Sequence, residues 1–189
     1  MAGTDEWSVL AGATRYLFQS LLLVREADLS APTPCENWDL RRLLRHVRTS
    51  LADVADVLAA RDFDAGPGAA AGSDPIGALR AGIVDFLLAS TSLPTAGRRC
   101  EIQGRSLPAE IVVYVGATEM ALHAWDIAQA CRTDRPIPAD IASALLWVSP
   151  PLARAGLAGH VFAEPLASPT TATPSDQLLA LFGRQPTLR

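Results

Sequence analysis

The sequence contains no lysine, and all 16 of its basic residues are arginine. This absence excludes an enzyme that forms a lysine Schiff base, and it excludes a phosphate-binding loop of the Walker type. Positive charge is also scarce, since the net charge is −4 and the isoelectric point is about 5.3. A nucleic-acid-binding surface is normally basic, so we expect no nucleic-acid partner.

Long apolar runs and paired cysteines are missing as well. No run of about 18 uncharged apolar residues occurs, so nothing in the sequence predicts a membrane span. The cysteines lie far apart and form no Cys-x-x-Cys pair; they are Cys35, Cys100 and Cys131. This spacing indicates free thiols in a reducing compartment. The acidic N-terminus lacks the basic segment of a secretory signal, and we therefore expect a cytoplasmic protein.

What is present indicates one helical domain. The 189 residues, of which 49% are hydrophobic and 19% charged, match a single globular domain, expected to span residues 1–189. Apolar residues recur with a helical period, which predicts an all-α fold with one short extended piece at 100–103. Pro150 and Pro151 are expected to break or kink the fifth helix. The predicted helices are 7–27, 40–61, 75–90, 111–130, 139–155 and 176–182.

The fourth predicted helix, 111–130, is apolar on every side and is therefore expected to be buried. Glu119, His123 and Asp126 nevertheless lie in its middle. Their spacing places them on one face, within about 60° of each other. A buried, unpaired carboxylate is costly, and a divalent metal bound by Glu119 and His123 would compensate for it. A partly buried ion pair or a core histidine would also explain the pair.

A third ligand must come from elsewhere, and the chain has only three histidines. His46 lies at the border of the apolar stripe of the second helix, whereas His160 lies in a loop and is expected at the surface. Two imidazoles and one carboxylate are typical of catalytic zinc with an open position, and they also suit Fe(II). The metalloprotease signature His-Glu-x-x-His is absent. Four principal helices favour a four-helix bundle, which builds metal sites from facing helices.

Several neighbours of these ligands have two interpretations each. Asp126 can orient His123, accept a proton, or be solvated at a helix end. Gly116, on the same face, either leaves space above the metal or permits close helix packing. Trp38 is a packing group or a pocket wall. Arg42 either receives an anionic substrate or belongs to a solvated face.

Three segments of the sequence resemble one known family. Residues 32–47, Pro-Thr-Pro-Cys-Glu-Asn-Trp-Asp-Leu-Arg-Arg-Leu-Leu-Arg-His-Val, resemble the first motif of the mycothiol-dependent maleylpyruvate isomerase family, which belongs to the DinB-like metal-dependent bundles. Residues 119–130, Glu-Met-Ala-Leu-His-Ala-Trp-Asp-Ile-Ala-Gln-Ala, resemble the second motif. Residues 176–186, Asp-Gln-Leu-Leu-Ala-Leu-Phe-Gly-Arg-Gln-Pro, resemble the ending of a short actinobacterial branch.

The resemblance implies a DinB-like four-helix bundle with additional short C-terminal helices. It implies zinc or another divalent metal held by His46, Glu119 and His123. It also implies thiol chemistry, in which zinc lowers the pKa of a cosubstrate thiol, mycothiol, and the thiolate attacks an electrophile. The isomerase has a separate C-terminal domain that helps to bind the thiol, and we expect this chain to be too short to contain it. The resemblance therefore supports metal binding more strongly than it supports maleylpyruvate as the substrate.

Three functions are open at this point, each with a small molecule as partner and a monomer or homodimer as the assembly. The first is a metal-dependent S-transferase or cis–trans isomerase that uses mycothiol. The second is a thiol-independent metal enzyme of secondary metabolism, in which a Lewis acid or metal-bound water drives hydrolysis, elimination or cyclisation. The third is a non-catalytic metal-binding bundle. We expect the chain's own cysteines to be poor nucleophiles for the first, because none lies within a helical turn of Glu119 or His123.

Overall fold

The computed structural model describes residues 5–59, 74–90, 97–102, 105–158, 163–169 and 171–185. Helices dominate these ranges, which confirms the predicted all-α fold. The helices are α1 (Glu6–Leu21), α2 (Leu40–Ala59), α3 (Pro75–Ser90), α4 (Ala109–Ala130), α5 (Ala139–Ala158) and α6 (Pro174–Leu181). A short 3-10 helix, Glu26–Asp28, follows α1, and two strands, β1 (Arg99–Ile102) and β2 (Arg105–Pro108), precede α4.

The first four helices form the bundle. Helix α1 packs against α4, α4 against α2, α2 against α3, and α3 against α1, so that each helix has two neighbours. Apolar side chains from all four meet in the middle and are fully buried, among them Leu17, Leu44, Leu79 and Ala121. Helices α5 and α6 pack against each other, and α5 also contacts α1 and α4. This is the predicted bundle with two further helices after it in the chain, of which α6 is short and α5 is as long as α2.

Helices α1 and α4 run in the same direction. The Thr14 hydroxyl of α1 lies 3.2 Å from the Met120 sulfur in α4. Further along both helices, the Arg135 guanidinium just after α4 donates to the Ser20 hydroxyl at 2.7 Å. Polar contacts therefore join the two helices at two positions along their length, in addition to their shared apolar core.

Side chains at the helix ends explain where the helices start. The Asp39 carboxylate accepts a hydrogen bond from the Arg42 N–H at 2.8 Å, as the sequence predicts for the start of α2. Pro108 immediately precedes α4, where its missing N–H costs nothing. At α6 the Thr173 hydroxyl accepts from the Asp176 N–H. These local signals give the helix starts to within a few residues.

Two helices differ from the prediction by more than two residues. Helix α1 ends at Leu21 instead of residue 27, and it is followed by a 3-10 turn in which Arg25 donates from its backbone and side chain to Asp28. We expect helix α5 to break or kink at Pro150 and Pro151, and it does not break there, since it continues to Ala158. Each proline removes one intrahelical donor, but a helix with one packed face tolerates that loss.

The predicted extended piece is confirmed as strand β1, which pairs antiparallel with β2 so that Cys100 lies opposite Leu107. Gln103, the last residue of that prediction, is outside the described residues. Strand β2 occupies a stretch that the sequence pattern leaves irregular. No helix in the described parts of the chain is both long and apolar enough to cross a membrane.

Candidate metal centre

Helix α4 places three polar side chains on one buried face, as their spacing predicts. His123 and Asp126 are buried, and Glu119 is half-buried. The His123 Nε2 atom lies 3.2 Å from Glu119 Oε1, and its Nδ1 atom lies 2.9 Å from Asp126 Oδ2. The imidazole therefore bridges two carboxylates of its own helix, one at each ring nitrogen.

Helix α2 brings His46 to the same place. His46 Nε2 lies 2.7 Å from Glu119 Oε1, and the centroids of the His46 and His123 rings are 4.9 Å apart with nearly perpendicular planes. The ligating atoms of His46, Glu119 and His123 all lie within 4.8 Å of one another. The His46 side chain is 35% exposed, so this side of the cluster can be reached from solvent.

A second residue of α2, Ser50, supports Glu119 from the position one turn after His46. The Ser50 hydroxyl lies 3.2 Å from Glu119 Oε1 and donates to it. Val54 lies one turn after Ser50 on α2. A Cβ atom added at Gly116 of α4 would lie only 3.0 Å from a methyl carbon of Val54. Gly116 therefore permits the close approach of α2 and α4 that brings the histidines together, which favours the packing interpretation of this glycine.

The loop before α2 brings two further side chains to the cluster. Thr33 donates from its N–H and its hydroxyl to the Trp38 carbonyl, and the Trp38 N–H donates to the Cys35 carbonyl at 3.0 Å. Asn37 completes this tight loop with φ 62°, a left-handed conformation that asparagine tolerates. The Trp38 ring consequently stands 4.8 Å from the His46 ring, edge to face.

Cys35, on the same loop, lies beside the other nitrogen of His123. Its sulfur is 3.4 Å from Asp126 Oδ2 and 3.9 Å from His123 Nδ1. The sequence predicts that Cys35 is a poor nucleophile because it lies far from Glu119 and His123 along the chain, and this stays a prediction. The fold nevertheless brings its sulfur into contact with Asp126, 91 residues away in sequence.

Asp126 is also bound by an arginine that sequence reasoning did not select. Arg184, just after α6, donates from Nε to Asp126 Oδ1 at 2.9 Å and from Nη2 to Oδ2 at 2.7 Å. The Asp126 side chain has no exposed surface, and that of Arg184 is only 10% exposed. Full burial excludes the solvated interpretation of Asp126. The only sequence signal for Arg184 was its place in the motif at residues 176–186.

Charge explains the protonation of the cluster. Burial alone would raise the pKa of Glu119, but the positive charge of His123 and hydrogen bonds from His123 and His46 hold it well below its usual range. Burial alone would lower the pKa of His123, but the charge of Glu119 and hydrogen bonds with Asp126, Cys35 and Glu119 raise it well above its usual range. Glu119 and His123 therefore each favour the charged form of the other.

Asp126 stays ionised for the same kind of reason. Burial would raise its pKa, but the Arg184 charge and hydrogen bonds from His123 and Arg184 lower it to about 2. An ionised, fixed carboxylate beside His123 Nδ1 accepts a hydrogen bond from the Nδ1–H group and leaves Nε2 as the nitrogen that faces Glu119. This is the arrangement in which histidine ligands are usually held.

The donor set around Glu119 fits a divalent metal. A tetrahedral zinc with bonds of about 2.1 Å holds its donors about 3.4 Å apart, and two of the three donor pairs here are separated by 2.7 and 3.2 Å. Two imidazoles and a carboxylate also match the catalytic zinc pattern. A second set, Cys35, His123 and Asp126, lies equally close together. In that set Arg184 already neutralises the carboxylate, which disfavours a further cation.

The structure thus brings together His46, Glu119, His123 and Asp126, as the sequence suggested. It adds Ser50, whose place one turn after His46 was the available signal, and it adds Cys35 and Arg184. His160, expected at the surface, lies outside the described residues. Arg42 is exposed, and its guanidinium stands 4.7 Å above the Trp38 ring.

One comparison with known proteins gives a match. A family model described as the mycothiol maleylpyruvate isomerase N-terminal domain matches residues 10–128, which is more than half of the chain and includes His46, Glu119, His123 and Asp126. No curated protein and no solved structure matches the chain.

Proposed function

Because the chain belongs to the family of the mycothiol maleylpyruvate isomerase N-terminal domain, we propose that it is a divalent-metal-dependent enzyme that acts on a small electrophile with a thiol cosubstrate. The reaction would be S-transfer or isomerisation, the metal zinc, and the thiol mycothiol. The observation that carries the proposal is the convergence of His46 Nε2, Glu119 Oε1 and His123 Nε2 from two helices. All three residues lie within the matched region.

In this proposal His46, Glu119 and His123 hold the metal. A zinc ion in such a site would act as a Lewis acid that acidifies a thiol or polarises a carbonyl. Three protein ligands leave a position for a small molecule, which favours an enzyme over a closed structural site. The partial exposure of His46 and Glu119 supports access for a substrate from that side.

Asp126 would act on the reaction through His123. Its Oδ2 atom lies 2.9 Å from His123 Nδ1, where it fixes the ring and the tautomer. Being fully buried, it has no direct route to a substrate, and we assign it the role of holding His123. The alternative role of proton acceptor for an incoming thiol is less consistent with this burial.

An external thiol suits the geometry better than Cys35. The Cys35 sulfur lies near Nδ1 of His123 and not near Nε2, the nitrogen that faces Glu119. The imidazole ring therefore stands between Cys35 and the proposed metal position. Trp38, which meets His46 edge to face, and Arg42, whose guanidinium lies over the Trp38 ring, form an apolar and a cationic surface beside the open side, which would suit an anionic electrophile.

The test has two arms. Purified protein should contain about one zinc per chain by elemental analysis, and zinc-loaded protein should turn over an electrophilic substrate only when mycothiol is added. Equal rates with and without mycothiol would replace the thiol reaction by a thiol-independent Lewis-acid or metal-water reaction. Activity that survives complete metal removal would overturn both.

A further inference from the structure

The C-terminal segment reaches into the site through one side chain. Arg184 binds both oxygens of Asp126, and Asp126 Oδ2 is also 2.9 Å from His123 Nδ1. These contacts form a continuous path from Arg184 to a proposed metal ligand. Arg184 lies outside residues 10–128, so the matched family region does not include it.

The turn that ends α6 directs the Arg184 side chain towards the bundle. Gly183 takes φ +72°, the left-handed conformation in which helices commonly end. The Arg184 N–H then donates to the Leu179 carbonyl at 2.9 Å, which turns the chain back on itself. A Cβ at Gly183 would lie 2.6 Å from the Ala163 Cβ and 2.9 Å from the Glu164 carbonyl oxygen, so the turn is also packed against the preceding segment.

A bidentate arginine restricts a carboxylate more than a single bond does. Two parallel N–H donors define the plane of the Asp126 carboxylate, and that plane sets where Oδ2 meets His123. The same guanidinium supplies the positive charge that a buried carboxylate requires. Oδ2 also accepts from Cys35 at 3.4 Å, so it is held from three directions.

We propose that Arg184 is a positioning residue of the metal site, which orients His123 by fixing the Asp126 carboxylate, and that the C-terminal segment thereby completes a site whose ligands all lie in α2 and α4. This inference rests on the proposed metal site. It assigns Arg184 no contact with substrate, and it predicts an effect on metal affinity and metal geometry that passes through Asp126.

The test measures metal binding in variants of the full chain. Zinc affinity is measured by competition with a chromophoric chelator, and the Co²⁺-substituted protein is examined by its visible absorption, which reports ligand geometry. The variants are Arg184→Gln, Asp126→Asn and the double variant. Arg184→Lys, which keeps the charge but not the two-pronged contact, is used if Arg184→Gln does not fold. The matched control is Arg135→Gln, because Arg135 also binds a helix of the bundle, at Tyr16 and Ser20, away from the metal ligands.

We expect Arg184→Gln and Asp126→Asn each to weaken zinc binding about 10- to 100-fold, the usual effect of losing a group that supports a ligand, and to alter the cobalt spectrum. The double variant should match Asp126→Asn to within about twofold, since Arg184 acts through Asp126. Unchanged zinc affinity in Arg184→Gln, or in Arg184→Lys where that variant replaces it, would overturn the inference. Multiplicative losses in the double variant, or an equal loss in Arg135→Gln, would also overturn it. If the wild-type protein binds neither zinc nor cobalt, the proposed function itself fails.

Discussion

The two sides of the His123 ring differ in exposure and in charge. On the Nε2 side lie Glu119 and His46, and their side chains are 21% and 35% exposed. On the Nδ1 side lies Asp126, which is fully buried and bound by the nearly buried Arg184. One side is thus reachable and is built from metal-ligating groups. The other is closed and contains its own permanent cation.

The difference indicates two tasks for one histidine. A ring nitrogen that loses a proton and binds a metal has to be accessible from solvent. A carboxylate that only orients the ring does so best when the carboxylate is buried and fully hydrogen-bonded. The Nδ1 side meets the second condition, because every named contact of Asp126 is charged or hydrogen-bonded. Substitutions can be made on one side of the His123 ring at a time.

The largest effect is expected on the Nε2 side. Glu119→Gln removes the anionic ligand at nearly constant shape and should lower bound zinc from about one per chain to almost none, because a three-ligand site has no redundancy. His46→Ala and His123→Ala should do the same. Elemental analysis after dialysis gives the measurement. Glu110→Gln, in the first turn of the same helix, is the control and should retain the metal. Full zinc content in Glu119→Gln would show that the ligand set is wrong.

On the Nδ1 side, Arg184→Gln should lower the free energy of unfolding of the metal-free protein by about 3 kcal/mol, because it leaves the Asp126 carboxylate buried without its cation. Urea unfolding at neutral pH measures this. Adding Asp126→Asn should recover part of the loss, since the charge is then gone. The control is Arg25→Met, which breaks an exposed pair with Asp28 and should change stability little. A similar loss in both single variants would mean that burial of the pair is unimportant.

An effect of similar size is expected from the turn that directs Arg184 towards Asp126, because a strain cost and a steric cost add there. Gly183→Ala should cost about 1–3 kcal/mol for left-handed strain, with an added steric cost because its Cβ would collide with Ala163. Gly97 has the same φ of +72°, and among the described residues no atom lies within 4 Å of a Cβ placed there, so Gly97→Ala isolates the strain. Thermal unfolding of the two variants compares them. If Gly97→Ala lowers the unfolding temperature as much as Gly183→Ala does, the contact of Gly183 with the preceding segment contributes nothing to stability.

The smallest effect is expected at Cys35. Cys35→Ser should change zinc affinity by less than about 1 kcal/mol, because a thiol is a weak donor and the sulfur is further from His123 Nδ1 than the Asp126 oxygen is. The chelator competition used above measures this affinity. Loss of the metal in Cys35→Ser would instead make Cys35 a ligand and favour the second donor set, on the Nδ1 side of the ring.

Much of the site could be predicted from local sequence. Glu119, His123 and Asp126 belong to one helix, so their common face follows from spacing alone. His46 was selected because it borders the apolar stripe of α2, and that stripe has to face the bundle interior. Ser50 is missed although its place one turn after His46 was an available signal, because a serine on a helix is not diagnostic until its partner across the bundle is known.

Other features depended on packing. The continuation of α5 through Pro150 and Pro151 without a break could not be read from the local sequence, which predicts a break or a kink there. The apolar period of α1 continues to Val24, so it does not contain the end of the helix at Leu21. The full burial of Asp126 likewise could not be read from its position in the second half of α4.

The sequence by itself determined the helices, the bundle and the three polar groups of α4, because helical geometry relates residues three and four apart whatever surrounds them. Only the tertiary structure decided that Cys35 and Arg184 meet Asp126, 91 and 58 residues away along the chain. Both arrive on non-helical segments that turn through the left-handed residues Asn37 and Gly183. Where such turns point depends on the core that they pack against, and this information is spread over the whole chain.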